Sequence, residues 1–68
     1  MQVYIRGETR KGGSFMECIS ADKLHERMAK LCDQRRDARA YDSPDADADN
    51  CIGAVWKLDG RWTWCADN

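Results

Sequence analysis

Two β-prone runs, CIGAVWKL and RWTWC, flank Asp59-Gly60, and this pair of runs constrains the chain more than any other stretch. A two-residue hairpin loop needs positive φ at both central positions, and Asp-Gly supplies that readily. The register follows from the turn: Leu58 opposite Arg61, Lys57 opposite Trp62, Trp56 opposite Thr63, Val55 opposite Trp64, Ala54 opposite Cys65. One side of the hairpin gathers Ile52, Ala54, Trp56, Leu58 and Cys65, and is expected to pack against the helix. The other side holds Val55, Lys57, Trp62 and Trp64, predicting a ledge built by two of the three tryptophans. Such a ledge either shields backbone or forms an interface, self-association included, and a one-residue slip would exchange the faces of one strand.

Upstream, QVYIRGE alternates Val3 and Ile5 with Tyr4 and Arg6, the period of a half-buried strand. TRKGG has loop composition, and SFMECIS resumes β-prone residues, so an N-terminal hairpin is expected. Ser20 then precedes ADKLHERMAKLCDQRRDARA, which reads as an N-capped helix. At 100° per residue, Ala21, Leu24, Met28, Leu31 and Cys32 form one apolar stripe. Arg35 and Arg39 prolong that stripe, so the helix is expected to outrun the sheet and present a basic end, with Arg36 beside it. YDSPDADADN holds four aspartates and the only proline, and reads as a connecting loop. The predicted architecture is a single α+β domain over residues 1–68. It has an antiparallel sheet of about four strands in the order ββαββ, with one amphipathic helix on one face.

With 68 residues there is room for a thin core and no deep pocket. No run approaches the apolar length of a membrane helix, and MQVYIRGETR is charged where a signal peptide is apolar, so no membrane contact and a cytoplasmic location are expected. In a reducing compartment Cys18, Cys32, Cys51 and Cys65 would be thiols behaving as small buried hydrophobes. In a secreted chain they would allow three pairings. Residues 1–41 carry nine Lys/Arg against six Asp/Glu, and residues 42–68 carry two against six, so a net charge of −1 divides into +3 and −4. That dipolar balance belongs neither to a strong nucleic-acid binder nor to a DNA mimic.

Sites for chemistry are weak. Asp45, Asp47, Asp49 and Asn50 resemble part of an EF-hand calcium loop, yet the bend lacks its glycine and Trp56 stands where the bidentate Glu belongs. The cysteines are 14, 19 and 14 residues apart, unlike the close pairs that zinc sites use. His25 lies about two turns before Cys32, too far along a helix for a Cys-His pair. No catalytic residue, metal or cofactor is therefore expected, and the chain reads as a binding module. The candidate partner-binding residues are Trp62, Trp64, Lys57, Arg35, Arg36, Arg39, Asp45, Asp47 and Asp49.

SADKLHERMAKL, the Asp loop and AVWKLDGRWTWC, taken in that order, resemble in layout the small phage-encoded inhibitors known as anti-CRISPR proteins. The resemblance implies a plug that binds a host protein or ribonucleoprotein complex, such as a type I surveillance complex, and blocks its nucleic-acid or nuclease-subunit surface. No family residues carry over, because these inhibitors share no common catalytic motif. The chain itself would be a monomer or a homodimer. The alternative is a nucleic-acid-binding accessory protein, with Arg6, Arg10, Lys11, Lys30, Arg35, Arg36 and Arg39 on phosphates and Trp62 or Trp64 stacked on a base.

Overall fold

The computed structural model describes residues 1–9 and 11–66. Five strands form one antiparallel sheet: β1 (Gln2–Glu8), β2 (Ser14–Ser20), β3 (Ala38–Tyr41), β4 (Cys51–Leu58) and β5 (Arg61–Ala66). Their order across the sheet is β2-β1-β3-β4-β5. One α-helix among the described residues, α1 (Leu24–Asp33), follows a 3-10 turn at Ala21–Lys23 and packs on one face. The expected α+β class holds, with a fifth strand.

That additional strand is β3, in the middle of the sheet between β1 and β4. The segment expected to prolong the helix instead leaves it and crosses back. After Asp33 the chain takes φ 56° at Arg35. The Arg35 amide bonds to the Cys32 carbonyl (3.0 Å) and the Arg36 amide to the Leu31 carbonyl (3.1 Å). These two bonds make a Schellman cap in which arginine occupies the left-handed position that glycine usually fills. Ala38 and Ala40 are buried under the helix side of β3, and their small size suits a central strand covered closely by another element.

The helix stripe is as expected. Leu24, Met28 and Leu31 are buried, and Ala21 and Cys32 pack against the same cluster with Val3, Ile5, Ala38, Ala40 and Val55. Ser20 does not cap the helix amides. It is the last residue of β2, and its hydroxyl donates to the Asp22 carboxylate, holding that group below the usual carboxylate range. A partly buried fork ties β2 to the helix: Arg27 donates from Nε to Glu17 Oε2 (2.9 Å) and from Nη2 to Oε1 (2.5 Å). The guanidinium bonds hold the Glu17 carboxyl below its ordinary value, and the carboxylate raises Arg27 in turn.

The C-terminal hairpin has the expected turn and register, with Asp59 at φ 51° and Gly60 at φ 82°. Its faces are reversed. Trp62 and Trp64 pack against the core on the helix side, and Trp56 is 47% exposed on the other side. Two contacts explain the choice. A Cβ on Gly53 would run into the six-membered ring of Trp64, so this glycine leaves the space in which the indole lies across β4. The indole Nε1 donates to Nδ1 of His25 on α1 (2.9 Å), with the rings edge to face at 5.5 Å between centroids. A bulge in the β3–β4 pairing leaves Ile52 unpaired, and Ile52 also packs against the core rather than on the face with Ala54.

Candidate functional site

Among the described residues most side chains on the face opposite the helix are exposed, with Tyr41 buried at 7%, and the strand alternation fixes what stands there. On β1, Val3 and Ile5 point to the core, so Tyr4, Arg6 and Glu8 point away. On β4, Val55 points inward, which places Ala54, Trp56 and Leu58 outward. The pairing then assembles rows across the strands. One row runs Met16, Arg6, Arg39, Ala54, Cys65. On one side of it stands the row Cys18, Tyr4, Tyr41, Cys51. On the other side Glu8 pairs with Ser14 and Trp56 with Thr63, and Asp37, just before β3, accepts from the Glu8 amide through its carbonyl (3.3 Å).

The face therefore has a charged centre and an apolar margin. Arg6 and Arg39 lie directly opposite each other, and Glu8 and Asp37 lie one row away. Among the described residues the ion pair within 4 Å is Glu17 with Arg27, on the other side of the sheet, and none of these four charges has an ionic partner among those residues. Met16, Trp56 and Leu58 surround them at 49%, 47% and 49% exposure. A shallow groove over Ala54 runs between Tyr41 and Trp56.

The sequence-predicted partner residues scatter. Trp62 and Trp64 are half-buried under the helix, so the predicted ledge is corrected to structural packing. Lys57 extends from that same side beside Trp62 and is exposed. The expected basic helix end does not form. Arg35 is the exposed cap residue, and Arg36 is anchored, its guanidinium donating to the Glu8 carbonyl (3.2 and 3.3 Å) and lying 5.0 Å over the Phe15 ring. Arg39 moves from helix to the centre of the open face. Asp45, Asp47 and Asp49 are exposed in the loop before β4, and Ala46 of that loop borders the groove. Arg10, a candidate phosphate contact, lies outside the described residues.

The sequence expectation sets Trp56 in the core and Tyr41 in the connecting loop, whereas Trp56 stands on the open face and Tyr41 ends β3, buried at 7% exposure. The available signal was Gly53 inside a β-prone run, which marks a close approach by a neighbouring side chain. The expected burial of the thiols is also corrected for two of them. Cys18 and Cys65 are exposed on the open face, Cys32 and Cys51 are partly buried, and all four are free. Among the described residues no group of three or more His, Cys, Asp or Glu side chains could hold a metal ion, and no helix is long and apolar enough to cross a membrane. The chain matches no protein-family model, no curated protein and no solved structure.

Proposed function

We propose that this chain is a stoichiometric, non-enzymatic inhibitor of the anti-CRISPR kind. It docks on a host nucleoprotein defence complex and blocks the surface that nucleic acid or a nuclease subunit uses. The observation that supports this reading is the open sheet face. A chain with few large apolar side chains leaves Trp56, Leu58 and Met16 half exposed around a charged centre, the composition of an interface. The exposed Asp45, Asp47 and Asp49 beside the groove suit a basic surface of the kind that holds nucleic acid.

Affinity capture from a bacterial host lysate treated with nuclease tests the reading. A nucleic-acid-guided complex retained in fixed stoichiometry, and lost with folded Trp56→Ala, is the expected result. Capture unaffected by Trp56→Ala, or recovery that disappears with nuclease, counts against it.

A second reading, direct binding of single-stranded nucleic acid, is favoured by one feature: Arg6 and Arg39 lie side by side with the half-exposed Trp56 and the partly exposed Tyr4 in the rows to either side, a combination of phosphate and stacking contacts. Glu8 and Asp37 in the next row weigh against it. Binding of an oligothymidylate that falls steeply with salt would support this second reading.

A further inference from the structure

The open face carries cations and anions in two adjacent rows, and that arrangement is complementary to itself. We propose that the face closes on a second copy of this chain, forming a two-fold homodimer of stacked sheets. The inference rests on reading this face as an interface and names its occupant in the free protein.

The geometry is specific. A two-fold axis lying between the sheets, parallel to the rows and midway between the Arg6–Arg39 row and the Glu8–Asp37 row, carries each row over the other. Arg6 of one copy then faces Glu8 of the second, and Arg39 faces Asp37 of the second. The same operation sets Trp56, the bulkiest side chain on the face, over Ala54 of the second copy, in the groove beside Tyr41. The large side chain thus meets the small one on the same strand, twice, as an isologous interface requires. Antiparallel strands related this way stack within the angle of about 30° that twisted sheets adopt.

Charge favours this occupant over a purely anionic one. A nucleic acid or acidic peptide laid on the two arginines also meets Glu8 and Asp37, whereas a second copy pairs all four groups. The area sets the strength. Five strands at a spacing of about 4.8 Å give a width of roughly 24 Å, and the overlap buries roughly 500 Å² per copy. That total of roughly 1,000 Å² lies at the low end of specific interfaces. The dimer therefore exchanges, and a target meeting the same face competes with it.

Sedimentation equilibrium of the intact chain from about 10 µM to 1 mM tests the proposal, a range chosen for an interface of this size. The apparent mass should rise from 7.8 kDa toward twice that value. Arg39→Glu and Asp37→Arg, each folded by circular dichroism, should each reduce self-association at least tenfold, because each sets like charges against each other. Mixing the two variants should restore a dimer, since the heterologous pair again opposes cation to anion at both contacts. A wild-type chain that stays monomeric to 1 mM overturns the proposal, as does a mixture no more associated than its components. A monomeric result leaves the inhibitor reading to be judged on host capture alone, so the two can fail separately.

Discussion

Replacing Gly53 with alanine should destabilise the fold, although alanine is ordinarily the better strand residue. The new Cβ would lie 2.6 Å from Cζ3 of Trp64, nearer still to Cη2, and 3.0 Å from the Cys65 carbonyl oxygen. The indole cannot simply swing aside, because its Nε1 is bonded to His25 and its ring packs on the core. Losing the hydrogen bond costs about 1 kcal/mol and the forced repacking about 1–2 kcal/mol more. Against this, removing a strand glycine returns roughly 0.5 kcal/mol. The net loss is about 2 kcal/mol, which for a domain this small lowers Tm by roughly 8–16 °C. Urea unfolding followed by far-UV circular dichroism measures it, avoiding a tryptophan signal that the substitution itself alters. The double-mutant cycle is the decisive control. With Trp64→Ala already present, Gly53→Ala should be nearly neutral or stabilising. A single-variant loss below about 0.5 kcal/mol, or an equal loss in both backgrounds, would refute the reasoning.

The two tryptophan environments make opposite predictions. Trp64→Ala should cost about 2–3 kcal/mol and Trp56→Ala less than about 1 kcal/mol, and equal losses in urea unfolding would contradict the assignment of faces. Arg35→Gly should stabilise by about 0.5–1 kcal/mol, because arginine holds φ 56° at the helix cap; a lower Tm would show that the Arg35 side chain contributes more than its backbone strain costs. Glu17→Gln should remove part of the acid sensitivity. The Arg27 bonds lower the folded-state pKa of Glu17, so the stability they add is present above the ordinary glutamate value of about 4.5 and is lost as pH falls through the lowered one. With both side chains about 30% exposed, the fork contributes about 1 kcal/mol. Unfolding free energies of wild type and variant should therefore converge toward pH 2–3, and a constant difference would sink the attribution.

Much of the fold is legible along the chain because it is local. Asp59-Gly60 dictates its own turn and hence the β4–β5 register, and the Leu24, Met28, Leu31 stripe follows from helical period. β3 was hidden by competing local preferences. QRRDARA is rich in helix formers, no glycine or proline marks the helix end, and alanines at 38 and 40 give too little apolar contrast to reveal alternation. Its strand state depends on long-range pairing with β1 and β4. The orientation of the last hairpin was hidden for a related reason. Counting apolar residues favours the face with Ile52, Ala54, Trp56, Leu58 and Cys65, but the bulge turns Ile52 away and Gly53 makes room for an indole. Since the Arg6–Arg39 row exists only through β3, the candidate site could not be assembled without that strand.

The face assignment and its occupation can be read together by fluorine NMR of the chain labelled with 5-fluorotryptophan, each resonance assigned by Trp→Phe substitution. In dilute solution a water-soluble paramagnetic agent should broaden Trp56 most, and raising the protein concentration should shift and protect Trp56 while Trp62 and Trp64 stay unchanged. Greater broadening of Trp62 and Trp64, or a Trp56 resonance indifferent to concentration, would contradict an open face that closes on its own copy.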